Sequence, residues 1–110
     1  MKNFNKKIFS LNITELSQLS KQSNIPVDYY KMAHKIANSF SKEYAAIGVM
    51  NINDLTQEGY YALLRSWRKV DWEYISTLKS QLDKDKAISK FLSISIKGLI
   101  GDQIKLNVDG

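Results

Sequence analysis

Asp54 and Glu58 stand four residues apart, a spacing that puts two carboxylates on one face of a helix. In an enzyme, such a pair lets one carboxyl hold a proton while the other takes one. To act on a substrate the pair needs a metal, a partner base or a Gly-rich turn. The sequence has no cysteine, a single histidine and no phosphate-binding glycine loop, so that chemistry lacks its other half. The histidine, His34, falls off the apolar stripe of its segment and reads as a solvated side chain. The two carboxylates fit a helix N-terminus, where the dipole favours them, or a contact with another molecule. No cofactor, no metal and no enzymatic activity is expected.

A second group of residues suits binding rather than catalysis. Lys86, Lys90, Lys97 and Lys105 accompany Phe91 near the end of the chain, and such a set can follow phosphates or simply keep a helix face in water. The formal net charge of +5, from 16 basic and 11 acidic residues, with a pI of about 9.4, permits a nucleic acid or an acidic protein as partner. The absence of cysteine excludes a disulfide framework and fits a reducing compartment.

These residues must be held by helices, because the apolar pattern is helical nearly throughout. Asn12-Ile13-Thr14-Glu15 has the form of a capping box and opens a short segment with Leu16 and Leu19, which ends near Ser23-Asn24 and is expected to pack loosely. A second helix begins around Pro26, with Met32, Ala33, Ile36, Ala37, Phe40 and Tyr44 in one stripe, Lys31, Lys35 and Lys42 off it, and Gly48 near its end. A third runs from about Asn53 to Lys69, with Leu55, Gly59, Ala62, Leu63, Ser66 and Val70 near one face. Gly59 is costly there, by roughly 1 kcal/mol against alanine, and predicts close approach by a neighbouring helix. Tyr60, Tyr61 and Trp67 add more aromatic surface than one buried face requires. Ile75, Leu78 and Leu82 have the spacing of a short helix. The last helix is placed over residues 85–105, with Ala87, Ile88, Phe91, Leu92, Ser95, Leu99 and Ile104 inward, although Ile94-Ser95-Ile96 also alternates like a strand.

The expected architecture is therefore all-α: one domain over the 110 residues, a bundle of about four to five helices. The start of the chain has no apolar run or cleavage site of a signal peptide, and no stretch reaches the length of a membrane span, which predicts an intracellular, cytoplasmic protein.

Asp54-Leu55-Thr56-Gln57-Glu58-Gly59, followed by Leu63 and Leu64, resembles a run in region 2 of bacterial RNA polymerase sigma factors. There, Asp-Leu-x-Gln-Glu-Gly and a Leu or Met pair lie in the helix that binds the polymerase clamp. Ala33-His34-Lys35-Ile36-Ala37-Asn38-Ser39-Phe40-Ser41-Lys42-Glu43-Tyr44 looks like the preceding sigma helix. Val70-Asp71 is similar to the Phe-Asp that closes the clamp-binding helix. Residues 91–105, with Ile100-Gly101-Asp102-Gln103-Ile104, resemble the promoter-facing helix of flagellar and stress-type sigma factors. The resemblance covers about residues 27–105, leaving 1–24 as an N-terminal extension. It implies a transcription initiation factor that binds a coiled coil on the largest subunit of core polymerase through Gln57 and Glu58, with Asp54, Tyr60 and Leu64 beside them. It also implies approach to the promoter −10 element through Phe91 and the four lysines.

Three departures shape these expectations. Ile94 stands where the family has an aromatic side chain for a flipped base, and Lys97-Gly98 replace a tryptophan pair that flagellar and stress types also lack. The stretch between Asp71 and Phe91 is longer than the family's connection and reads as an insertion. The family's domain for the −35 element has no counterpart, which suggests a second protein supplying it or a minimal, phage-type factor. Two other functions suit the same residues: a regulator occupying the clamp site without opening DNA, and a small helical virion or scaffold protein that self-associates through Tyr60, Tyr61, Trp67 and Trp72.

Overall fold

The computed structural model describes residues 13–41 and 52–109, and within them the chain is all-α, with five helices and no strand. They are α1 (Ile13–Ser23), α2 (Val27–Ser39), α3 (Ile52–Arg68), α4 (Trp72–Thr77) and α5 (Gln81–Asp109). Helix α2 packs against α1, α3 and α5, and α5 also meets α3 and α4.

The turn between α1 and α2 is set by local chemistry. Asn24 takes a left-handed φ of 61°, a conformation its short polar side chain tolerates, and its N–H closes α1 on the Ser20 carbonyl at 2.9 Å. Pro26 then caps α2 with ψ 141°, extended backbone that cannot prolong α1. The Ser20 hydroxyl donates to the Ile25 carbonyl at 2.6 Å, and the Ser23 hydroxyl meets the Tyr30 hydroxyl at 2.7 Å. Leu16 and Ile25 are fully buried, so α1 docks tightly, against the loose packing expected of so short a segment. The expected cap at Asn12 lies outside the described residues, as do Lys42, Tyr44 and Gly48. Helix α2 itself stops at Ser39, where the Phe40 N–H turns back to the Ala37 carbonyl at 3.0 Å.

Gly59 has the role its cost predicts. A Cβ there would stand 3.0 Å from the Ala37 Cβ and 3.1 Å from the Ala33 carbonyl oxygen, so α2 and α3 cross through small residues. Further along α3, the fully buried Ser66 hydroxyl meets that of Ser95 on α5 at 2.7 Å, which satisfies two hydroxyls that would be costly to bury apart.

The segment after α3 differs from its expected form. Asp71 caps α4 by accepting the Tyr74 N–H at 3.0 Å. Helix α4 then ends at Thr77, whose hydroxyl turns back to the Tyr74 carbonyl. Leu78 is extended, and Leu82 is 62% exposed on the first turn of α5. The Ile75–Leu78–Leu82 spacing is therefore split between two helices. Ser80 accepts the Asp83 N–H at 3.0 Å and starts α5 at Gln81, four residues earlier than the apolar pattern placed it.

Helix α5 has 29 residues and is about 43 Å long at 1.5 Å per residue. Its buried ridge is Ile88, Leu92, Ile96 and Ile100, each four residues from the next. Phe91, expected inward, is 38% exposed, and Ile96 and Ile100 take the core in its place. The Ile94-Ser95-Ile96 alternation is helix, with Ile94 outside and Ile96 inside.

Candidate interaction surfaces

The acidic motif lies on α3, which is held between α2 and α5. Leu55 and Leu63 are fully buried and Gly59 is buried between them, so this side is spent on the core. Gln57 is exposed on the opposite side, Glu58 is half-buried and engaged within the chain, and Leu64 is half-buried. Asp54 occupies the first turn of α3, and its side chain lies outside the described residues. Arg65 and Arg68 in the last turn of α3 run with the helix dipole.

Tyr60 is placed differently from the role implied for it. It is 7% exposed, its ring meets Tyr30 edge-on at 5.7 Å, and its hydroxyl lies 3.3 Å from His34 Nδ1. Burial, with Glu15 and Tyr30 nearby, pushes its pKa up to about 12, so the hydroxyl keeps its proton at neutral pH. His34 is also inside, at 4% exposure, which corrects its reading as a solvated residue. The aromatic side chain on the outer face is Tyr61, 60% exposed. Gln57, Tyr61, Leu64 and Arg68 follow one another at four- and three-residue steps, so they form a single outward stripe. Sequence spacing holds this signal, since Tyr61 is one helical turn beyond Gln57.

The remaining aromatic surface of α3 is used inside the chain. Trp67 meets Tyr29 at 5.6 Å and Trp72 at 4.7 Å, the second pair at 65° between planes. The pair with Trp72 fastens α4 to α3, and the pair with Tyr29 joins α3 to α2. Burial raises the Tyr29 pKa; a hydrogen bond with Ser89 opposes that, and Asp85 and Asp28 add to it.

The outer face of α5 holds the second set of expected residues. Lys86, Lys90, Lys97 and Lys105 are all exposed, Phe91 is partly so, and Ile94 is 64% exposed. Gly98 and Gly101 are interior to the helix, yet a Cβ at either would meet nothing within 4 Å. Each costs about 1 kcal/mol of helix stability relative to alanine, without the close packing that accounts for Gly59.

Among the described residues, no group of three or more His, Asp or Glu side chains could hold a metal ion. Among them also, no helix is long and apolar enough to cross a membrane. Comparison with family models, curated proteins and solved structures found no match to this chain.

Proposed function

We propose that the chain is a sigma-like transcription factor domain that binds core RNA polymerase through the outer face of α3 and brings the basic face of α5 towards promoter DNA at the −10 element. The observation that carries this reading is the division of the Asp54-Leu55-Thr56-Gln57-Glu58-Gly59 run. Its apolar members and glycine are buried, while Gln57 faces solvent from a rigid helix. The exposed Gln57 amide, with the half-buried Glu58 carboxylate beside it, can meet arginines on a coiled coil, and charge-assisted hydrogen bonds fix the register of such a contact. Tyr61 and Leu64 supply the apolar part of the surface, in place of the buried Tyr60. The protein acts by binding, without catalysis or cofactor, in a bacterial cytoplasm or that of a phage host.

A second reading has its own support. Ile94 is fully helical and 64% exposed, and it offers no ring on which a flipped base could stack. That favours a regulator that occupies the clamp site without opening DNA.

The test is binding of the purified chain to core polymerase, beside Gln57→Lys/Glu58→Lys and Tyr61→Ala variants. Loss of binding is expected in both, with circular dichroism and melting of Tyr61→Ala close to the parent. Absence of binding by the parent chain to any plausible core refutes the proposal. Binding without strand opening at a promoter selects the regulator.

A further inference from the structure

We infer that the outer face of α5 is a docking seam for an acidic amphipathic helix of another protein. Phe91, Ile94, Gly98 and Gly101 follow at steps of three, four and three residues, which is the spacing of one side of a helix that packs against another along its length. This seam is opposite the buried ridge of Ile88, Leu92, Ile96 and Ile100. Two large apolar side chains stand out of it, and two glycines leave it open to close approach. At Gly59 the missing Cβ is filled by a neighbouring helix at 3.0 Å, whereas at Gly98 and Gly101 that space is vacant in the single chain.

Charge selects the occupant. Lys86, Lys90 and Lys97 line one flank of the seam and Lys105 follows it, all exposed, with Lys84 and Asp102 on the other flank and Asp83 near its start. The excess of lysine fits glutamates and aspartates flanking an apolar stripe on the partner. Two copies of this chain laid antiparallel, seam to seam, would set the flank of Lys86, Lys90 and Lys97 against its own counterpart, which opposes that mode of self-association. A nucleic-acid strand would satisfy the lysines and stack on Phe91 alone, gaining nothing from Ile94 or the two open glycines. The inference shares α5 with the DNA-facing half of the proposed function and uses nothing of α3. On that reading the acidic helix and promoter DNA exclude one another, which makes the seam a point of control.

The full chain is titrated against a labelled helical peptide of roughly three heptads, with leucine at the seam positions and glutamate beside them. A Kd on the order of 1–100 μM is expected. A peptide of the same composition with its leucines scattered around the helix should bind at least about tenfold more weakly. Gly98→Ala/Gly101→Ala and Lys90→Glu/Lys97→Glu should each weaken the patterned peptide by about tenfold. The alanine variant should also melt at a higher temperature, because nothing in the free chain meets the added methyls. A merely structural role for the glycines does not produce weaker binding together with higher stability.

Absent binding, equal binding of the two peptides, or unchanged binding by both variants overturns the inference. So does an alanine variant that keeps the peptide but loses single-stranded oligothymidine, which would mark a nucleic-acid cradle. Concentration-dependent dimerisation lost in that variant would overturn it in favour of a second copy. Both variants keep α3 intact, so their binding to core polymerase separates failure of the seam from failure of the clamp contact.

Discussion

A phenol held away from water keeps its proton to higher pH, because burial penalises the charged phenolate. Tyr60 is such a group, with its pKa pushed from 10.0 to about 12. Folding therefore favours the protonated form. That contribution to stability is complete below pH 10 and is lost as the pH rises towards 12. Tyr29 shifts in the same direction and adds to the effect. The melting temperature should fall over this window, and Tyr60→Phe should flatten most of the fall, as measured by thermal melts in buffers from pH 8 to 12. At neutral pH the same substitution removes the hydroxyl from His34 Nδ1 and should cost roughly 1 kcal/mol. His34 itself was beyond the reach of an apolar stripe drawn on α2 alone. Three other helices pack on α2, so burial spreads past one stripe and encloses a polar ring that finds a hydroxyl.

Among the helices, α3 is the one whose sequence speaks most directly. An interior glycine on an apolar face predicts a helix crossing, and α2 lies there, with its Ala33 carbonyl against the missing Cβ. Gly59→Ala should destabilise the chain by about 1–2 kcal/mol, the overpacking of a backbone contact outweighing the gain in helix propensity. A urea titration of the variant beside the parent checks this, and an unchanged midpoint would count against the crossing. Helix ends were harder to place by apolar spacing. Asp71 and Ser80 cap α4 and α5 through their side chains, and these polar contacts override the regular spacing of Ile75, Leu78 and Leu82. The aromatic excess on α3 has the same kind of resolution, since Trp67 is answered by Tyr29 from distant α2 and by Trp72 at the start of the next helix.

For the whole molecule, the two sides of α5 divide stability from binding. Leu92 is fully buried and Ile94, two residues on, is 64% exposed. Leu92→Ala should cost roughly 2–5 kcal/mol, a large part of the total of about 5–15 kcal/mol for a domain. It should leave the chain partly unfolded at 37 °C by circular dichroism. Ile94→Ala should change stability by less than about 0.5 kcal/mol, because little apolar area there leaves water on folding. Equal effects at both positions would show that α5 is rotated relative to the core described above.

The sequence by itself determined the all-α class, the approximate course of the helices, the inward Leu55–Gly59–Leu63 side of α3 and the need for a close neighbour at Gly59. These follow from periodicity and propensity, which act within a few residues. Tertiary structure alone decided that Tyr60 and His34 lie inside. It also decided that Phe91 leaves the core to Ile96 and Ile100, and that Gly98 and Gly101 face open space. Each of those outcomes depends on how many neighbours a helix acquires and on which side. A one-dimensional pattern carries the period of a buried face but not its width, which is fixed only when the other helices close around it.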